Sequence, residues 1–306
     1  MLFDVQSISD LFRMFPDEQS CIDALEELLW HGTPVSPFDR MSKVYKCKNN
    51  NYKCLNTGKY FNVKTGTIFE NSKISLRKWF VAIWMFTSNK CGISSCELSR
   101  QIDVTQKTAW FMLHRIRKSV VFENNRGLAG EVEMDETYVG GLNKNRHADK
   151  KVKHAQGRSG KDKTPVFGMV ERGGRVVANV VSSTSEKDLL PHIIRTVEVF
   201  SEVFTDEWVA YKNLDLYFDH FVVHHGMGQY VVGKATTNRM ENFWGNLKRA
   251  IIGVFRVLST WHLQRYVDEF VFKYNTRKLT TQERFVYLLP HMQNCRLKYN
   301  ELKHAC

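Results

Sequence analysis

Three acidic residues of this chain lie where they could bind divalent metal ions together. Asp135 ends an apolar predicted strand, Asp206 ends a second predicted strand, and Glu241 lies on a predicted helix. Carboxylates from two strand ends and a nearby helix can hold two divalent ions about 4 Å apart, which activate the attacking oxygen and stabilise the leaving oxygen of a phosphoryl displacement. Mg²⁺, or Mn²⁺ in its place, suits such oxygen ligands. Taken singly, each acid could instead be a helix cap or a solvated surface residue.

The sequence around Glu241 predicts a helix with two lines of residues. An apolar stripe at helical spacing comprises Met240, Phe243, Trp244, Leu247 and Ile251. A second line beside that stripe, at spacings of three, four and three positions, comprises Asn238, Glu241, Gly245 and Lys248. Glu241 therefore projects next to a packed face, with Lys248 two turns further along the helix.

The segments around these acids predict a mixed α/β domain. Residues 165–170 and 175–181 flank Arg172-Gly173-Gly174, a pattern typical of a β-hairpin, and residues 203–206 and 220–224 predict further short strands. Helical patterns fall between and after these strands, as expected for a mixed sheet flanked by helices.

The N-terminal part of the chain predicts short helices around a small β-ribbon, which covers residues 31–70. Within the later helices, residues 93–117 predict a helix-turn-helix. Ser94 or Ser95 can cap its first helix, and Thr105 can cap the second after a tight turn. An ordinary helical hairpin is the alternative interpretation.

The second helix of this hairpin has the character of a recognition helix, whose first polar side chains reach base edges in DNA. The predicted base-contacting residues are Gln106, Lys107 and Thr108. Predicted phosphate contacts near its end come from Arg115, Arg117 and Lys118.

The charge of the chain favours a polyanionic partner. Its formal net charge is +12, from 44 Lys and Arg against 32 Asp and Glu, which indicates nucleic acid or an anionic membrane surface. No apolar run reaches the roughly 18 residues of a membrane span, and the acidic N-terminal segment is not a signal peptide. Seven cysteines without framework spacing indicate a reducing cytosol.

A strongly basic segment between Gly141 and Thr164 could order on a phosphate backbone, although a solvated loop is an equal alternative. Only Asp149 and Asp162 oppose its cations, which are Lys144, Arg146, Lys150, Lys151, Lys153, Arg158, Lys161 and Lys163.

Several motifs, in order along the chain, resemble one family. MDETYVGG at 134–141, TDEWVAY at 205–211 and TNRMENFWGNLKR at 237–249 resemble the DDE transposases of the Merlin-like insertion-sequence group, which carry the ISXO2-like transposase domain. The similarity continues through STWHLQRYVDEFVFKYNTR at 259–277 and, earlier in the chain, GTIFENSKISLRKWF at 66–80. The resemblance implies an RNase H-like catalytic domain preceded by a helix-turn-helix and a zinc ribbon.

The resemblance also assigns roles to residues. It implies that Asp135 and Asp206 bind the catalytic metal, with Glu241 as the third acid. In some relatives an asparagine followed by a lysine takes the third position, roles that Asn238 and Lys248 could fill. We favour Glu241 because a carboxylate binds Mg²⁺ better than an amide does.

The zinc ribbon of the family pattern is degenerate here. Its first cysteine pair is replaced by Ser36-Pro37-Phe38-Asp39, and its second knuckle reads Cys54-Leu55-Asn56-Thr57. A zinc ribbon needs four tetrahedral ligands, of which only Cys54 remains, and nearby Cys47 cannot restore four. We therefore predict no structural zinc.

Together these observations predict four segments. Residues 1–70 form N-terminal helices and the ribbon, residues 71–125 the helical DNA-binding region, residues 126–280 the catalytic domain and residues 281–306 a tail. The predicted function is a Mg²⁺-dependent DNA transposase that cuts and joins double-stranded DNA at element ends and target sites. We expect a homodimer or larger oligomer on DNA, in the bacterial cytoplasm and nucleoid, with no membrane partner. The alternatives are an RNase H-like nuclease that does not join strands and an inactive or domesticated DNA-binding protein.

Overall fold

The protein is described by a computed structural model over residues 3–141, 147–151, 163–223 and 236–303. The chain forms two compact units. Unit 1 comprises Met1–Val120 and Lys278–Cys306, and unit 2 comprises Val121–Arg277. Unit 2 is therefore continuous in sequence, whereas unit 1 is completed by the C-terminal residues. Among the described residues, no helix has the length and apolar character needed to cross a membrane.

Helices precede and follow a small antiparallel sheet in unit 1, with the strand order β1-β2-β3, where the sequence predicts a β-ribbon. Its first elements are α1 (Ile8–Met14), α2 (Glu18–Trp30), β1 (Val44–Lys46), β2 (Tyr52–Cys54), β3 (Tyr60–Phe61), α3 (Leu76–Ser88), α4 (Ser95–Ile102) and α5 (Gln106–Ser119). The predicted caps of the last two helices are confirmed. Ser94 accepts a hydrogen bond from the Glu97 amide, and Thr105 accepts one from the Thr108 amide.

Unit 2 is built on a five-stranded mixed sheet, as the sequence predicts. Its elements begin with β4 (Glu131–Val139), β5 (Thr164–Glu171), β6 (Val176–Val180), α6 (Glu186–Thr196), β7 (Glu202–Asp206) and β8 (Asp219–Val223). The strand order is β6-β5-β4-β7-β8. β4, β5 and β6 pair antiparallel, whereas β7 is parallel to both β4 and β8.

Helices cover both faces of this sheet because its strands are apolar on both sides. Val132 and Met134 of β4 belong to the apolar cluster that includes Leu189 and Ile193 of α6. On the opposite face, residues of β5 and β6 pack against α7 (Asn238–Ala250) and α8 (Leu263–Asn275), which complete the α-helices described in unit 2. The mixed α/β architecture with a helix-flanked sheet is thus confirmed.

The C-terminal residues return to unit 1 as α9 (Thr281–Leu288) and α10 (Tyr299–Lys303). They pair directly with the N-terminal part of the unit, since Thr67 and Gln293 form an antiparallel bridge and the Ile68 amide donates to the Met292 carbonyl at 3.1 Å. Phe285 of α9 packs edge-to-face against Phe80, so the C-terminal segment contributes to the core of unit 1.

Candidate active site

Asp135 and Asp206 lie on neighbouring parallel strands, on the same face of the sheet. Asp206 ends β7 as predicted, whereas the predicted strand end at Asp135 is wrong, because β4 continues to Val139. Glu133 of β4 pairs with Phe204 of β7, and each aspartate follows its member of that pair by two residues. Side chains two residues apart share a face, and adjacent strands lie about 4.8 Å apart. The charges of both aspartates also contribute to raising the pKa of the buried Tyr211 hydroxyl, after burial and Glu136.

Glu241 faces the same region from α7. It lines an open cavity of about 370 Å³ together with Asp135, and the lining also includes the cations Lys163 and Lys248. Asp135 is half-buried, Asp206 is buried, and Glu241 and Lys248 are exposed. Asn238, the alternative third residue, is exposed at the first position of α7.

The close approach of α7 to the sheet depends on a glycine. Gly168 of β5 pairs with Asp135 in the antiparallel register. A Cβ atom at Gly168 would lie 2.6 Å from Cζ2 of the Trp244 ring and would also overlap the end of Met240. Because only a glycine leaves room for these side chains, α7 packs next to Asp135 and carries Glu241 to the cavity.

Other residues of the motifs connect the segments that carry the acids, a role that the sequence analysis missed. The Tyr211 hydroxyl, five residues after Asp206 at the end of β7, donates a hydrogen bond to the Glu136 carboxylate. The Trp208 amide donates to Asp206 Oδ1 at 3.1 Å. Their presence within MDETYVGG and TDEWVAY was the available signal, since both motifs extend beyond the aspartates.

Three carboxylates are a suitable donor set for Mg²⁺ or Mn²⁺, which prefer oxygen ligands. Within the part of the chain that the structure describes, however, no group of three or more His, Cys, Asp and Glu residues is placed to hold a metal ion. The three acids are thus not assembled as a metal site in this structure, although two of them, Asp135 and Glu241, line one cavity.

The predicted base-contacting residues lie at the start of α5. Gln106 and Lys107 are exposed, and Thr108 is partly exposed. Gln106 Nε2 donates to the Ser95 hydroxyl at 2.7 Å, which links the beginnings of α4 and α5. The Lys107 ammonium lies 5.1 Å from the centre of the Tyr299 ring. The first turn of α5 thus presents polar groups at its surface.

The cations later in α5, which the sequence predicts to contact phosphate, bind groups within the protein instead or are buried. Arg115 is buried, and its guanidinium donates to the carbonyls of Ile68 and Leu297 at 2.7 and 3.1 Å. Arg117 is also buried, and the Lys118 ammonium donates to the Arg296 carbonyl at 2.5 Å. Arg115 and Lys118 therefore hold α5 to the C-terminal segment within unit 1.

The basic segment after β4 is described only in part. A single 3-10 turn covers Ala148–Lys150, and Lys151 is exposed. Five of the predicted phosphate-binding cations lie outside the described residues, namely Lys144, Arg146, Lys153, Arg158 and Lys161.

The residues at the degenerate zinc knuckles do not fit a zinc site. Cys54 is buried, and the hydroxyls of Ser36, Ser42 and Thr57 surround its thiol. Burial raises the pKa of this thiol, but hydrogen bonds from those hydroxyls and from the Thr57 amide outweigh burial and lower the pKa to about 6. One thiol and three hydroxyls cannot supply the thiolate and imidazole ligands of a structural zinc.

Comparisons with known proteins identify relatives of the chain. Residues 127–275 match the model of the ISXO2-like transposase domain. An uncharacterized protein in transposable element ISH50 of Halobacterium salinarum is 29% identical over 84% of this chain and 91% of its own length. An uncharacterized transposase-like protein of Haemophilus influenzae is 32% identical over 35% of this chain and 83% of its own length.

Among solved structures, the crystal structure of the Mos1 strand transfer complex shares 10% identity with this chain. The comparison covers 72% of this chain and 78% of the Mos1 chain, with a TM-score of 0.30. A superposition of that extent does not by itself establish a shared fold.

Proposed function

The chain belongs to the ISXO2-like transposase family, and on that premise we propose that it is a metal-dependent DNA transposase. It cuts DNA at the ends of an insertion sequence and joins those ends to target DNA. The observation that carries this proposal is the placement of Asp135 and Glu241 in one cavity, with Asp206 on the adjacent parallel strand. A mixed sheet in the order β6-β5-β4-β7-β8, flanked by helices, supports an RNase H-like architecture for unit 2.

Each residue of the site has a distinct proposed task. Asp135, Asp206 and Glu241 bind Mg²⁺ or Mn²⁺, and side-chain rotations on binding bring the three carboxylates together. The bound ions would stabilise the charge of the phosphoryl transition state. Lys248, which lines the same cavity as Asp135, binds a phosphate near the scissile bond. Asn238, at the exposed beginning of the same helix, is the alternative to Glu241 as the third residue.

We propose that unit 1 recognises the element ends through a helix-turn-helix formed by α4 and α5. Gln106, Lys107 and Thr108 are exposed at the start of α5 and contact base edges. The buried Arg115 stabilises α5 rather than contacting phosphate. Lys151 and its neighbours Lys150 and Lys153 bind the DNA backbone. Simultaneous engagement of two element ends calls for a homodimer or larger oligomer on DNA, in the nucleoid.

The test separates chemistry from recognition on one set of variants. Asp135→Asn and Asp206→Asn should abolish cleavage and strand transfer and leave binding to element ends intact, because these acids act on the reacting phosphate. Asp219→Asn, at an exposed position of β8, is the matched control and should cleave normally. Gln106→Ala and Lys107→Ala should weaken end binding, by about 5- to 150-fold for a lost base-edge contact.

The same assay separates the other candidate functions. Cleavage without strand transfer by the wild-type protein would indicate a nuclease. Loss of DNA binding in the Asp135 and Asp206 variants, equal to their loss of cleavage, would contradict the proposed catalytic role. It would instead indicate acids that maintain the fold of a DNA-binding protein.

A further inference from the structure

A second acid of β4, two residues before Asp135, contacts the helix that carries Glu241. Glu133 is fully buried on the face of β4 that α7 covers. One of its carboxylate oxygens, Oε1, accepts a hydrogen bond from Arg172 Nε at 2.9 Å. The other, Oε2, accepts one from the backbone amide of Arg239 in α7, also at 2.9 Å. Glu133 therefore joins α7 to the strand of Asp135.

Arg172 holds this carboxylate in place from the turn between β5 and β6. Its Nη1 binds Glu131 at 2.9 Å, and its guanidinium lies 3.9 Å from the centre of the Phe204 ring. A further guanidinium nitrogen approaches the carbonyl of Thr236, just before α7, at 3.5 Å. One planar cation thus contacts β4, β7 and the approach to α7, and it supplies the counter-charge of the buried Glu133.

The contact on α7 acts where a helix needs an external partner. Arg239 is the second residue of α7, and the first amides of a helix have no acceptor within the helix. Thr237, at the N-cap position, makes no side-chain capping bond to the helix, unlike Thr105 at α5. A carboxylate at this end also interacts favourably with the helix dipole. The Thr236 hydroxyl accepts from the Asn238 amide at 3.2 Å, and Glu133 caps the next amide, that of Arg239, from another element.

We propose that Glu133, oriented by Arg172, is a positioning residue that sets the start of α7 and thereby the place of Glu241 relative to Asp135. The inference rests on the proposed function, because it assumes that Glu241 binds metal in the active site. Glu241 follows Arg239 by two residues within one continuous helix, so a shift of the first turn moves its carboxylate directly. Glu133 itself does not touch the reacting groups.

The decisive variant is Glu133→Gln, which keeps the size of the side chain. Glu133 accepts from two donors on its two oxygens, whereas glutamine has one oxygen and would turn its amide group towards a donor. Glu131→Gln is the matched control, since it loses an ion pair to the same arginine but leaves the bond between Glu133 and the Arg239 amide in place. Both variants are made in the full-length chain.

Two readouts are measured on each variant. The first is hydrogen–deuterium exchange of the first turn of α7, and the second is the Mn²⁺ concentration that gives half-maximal cleavage of element ends. In Glu133→Gln we expect faster exchange at residues 238–241 and at least a tenfold higher Mn²⁺ requirement, the size of effect known for residues that orient metal ligands. Glu131→Gln should change both much less.

Other outcomes overturn the proposal. Unchanged exchange and an unchanged Mn²⁺ requirement in Glu133→Gln would refute it, and so would equal effects in Glu131→Gln. If Glu133→Gln does not fold, Arg172→Lys gives the same test, because a lysine cannot bind two carboxylates in the planar fork of an arginine. A Glu241→Gln variant tests the proposed catalytic role of Glu241 separately from the positioning role of Glu133. Wild-type cleavage by that variant would refute the proposed role of Glu241, while the exchange data would still decide whether Glu133 holds α7.

Discussion

At the scale of single residues, the acids of β4 differ in task because alternate positions face different surroundings. Asp135 faces the cavity beside α7, and Glu133, on the same side of the strand, is buried against Arg172 and the start of α7. Glu136 points to the opposite face, where it accepts the hydrogen bond of Tyr211. The strand β4 therefore contacts both segments that carry the other two acids: Glu133 binds the helix of Glu241, and Glu136 binds Tyr211, which follows Asp206.

A methyl group at Gly168 should disturb the candidate site from the opposite strand. Gly168→Ala places its Cβ against the rigid ring of Trp244, so α7 must move away from Asp135. We expect a loss of about 1–3 kcal/mol in the free energy of unfolding, together with reduced cleavage. Denaturant melts and the cleavage assay measure the two effects. Gly127→Ala, whose Cβ would meet only the Thr196 carbonyl at 3.7 Å, is the control. Equal stability of both variants would contradict this account of the glycine.

A buried acid of α8 should make unit 2 less stable as the pH rises. Burial raises the pKa of Asp268 to about 6, although hydrogen bonds from Gln264 and Asn124 partly oppose this. Its ordinary value is 3.8, so between about pH 4 and 6 the folded protein binds more protons than the unfolded chain. Stability conferred by the protonated acid is therefore present below pH 4 and is lost as the pH rises through 6.

Asp268→Asn should remove this dependence. Chemical denaturation at several pH values should show a flatter profile for the variant, which gains about 2–3 kcal/mol at pH 7 relative to wild type. Asp219→Asn, at an exposed position, should keep the wild-type profile. If the free energy of unfolding fell equally between pH 4 and 6 in the wild type and in Asp268→Asn, Asp268 would not be the responsible group.

At the scale of elements, the small sheet of unit 1 retains turns around Cys54 without a zinc ligand set. The Ser36 hydroxyl accepts from the amides of Phe38 and Asp39, and the Asn56 amide donates to the Ser42 hydroxyl at 3.0 Å. The Asn56 side-chain amide also donates to the Asp39 carboxylate at 2.7 Å, which joins the two knuckle segments to each other. Aromatic packing of Tyr52 with Phe61 adds an apolar core to the sheet.

We therefore expect this sheet to fold without zinc. The purified protein should contain less than one equivalent of tightly bound zinc by elemental analysis, and a chelator should leave the melting temperature of unit 1 unchanged. Cys54→Ser should likewise leave the zinc content unaffected. Stoichiometric zinc that is lost on replacement of Cys54 would contradict the prediction.

At the scale of the whole molecule, the two units differ in how the chain forms them: one is a single segment and the other is two segments. Unit 2 is one continuous segment, Val121–Arg277, whereas unit 1 needs the residues after Arg277. Phe285 packs against Phe80 and Trp84, and the Arg284 guanidinium donates to the Thr87 carbonyl at 2.6 Å. Removal of this segment exposes apolar residues of α3 and leaves unit 2 complete.

A chain that ends at Arg277 should accordingly lose the fold of unit 1 and keep that of unit 2. Limited proteolysis mapped by mass spectrometry should show cleavage throughout residues 1–120 and a protected fragment near 121–277. Phe285→Ala in the full chain should destabilise unit 1 alone, by about 3–5 kcal/mol for a buried phenylalanine. Equal protection of both units in the truncated chain would contradict the division.

The sequence by itself determined the features that depend on residues within a few positions of one another. The caps Ser94 and Thr105, the apolar stripe of α7 with Glu241 beside it, and the strand hairpin around Arg172 all follow from local spacing. The end of the strand that carries Asp206 was equally readable, because alternation and turn residues mark it. The strand of Asp135 was recognised, but it continues to Val139 because its pairing with β5 extends past the aspartate. These patterns placed the three acids on the right kinds of element without stating their distances.

Only the tertiary structure decided which polar residues would be buried and what they would bind. Glu133 meets the Arg239 amide across 106 positions of sequence, and Arg115 meets the Leu297 carbonyl across 182. A charge near the end of a helix reads as solvent-facing until the segment that covers it is known, which is why Arg115 was expected on DNA. Burial, capping between elements and the close approach at Gly168 arise from packing between segments that are distant in sequence. The spacing of neighbouring residues therefore cannot predict them.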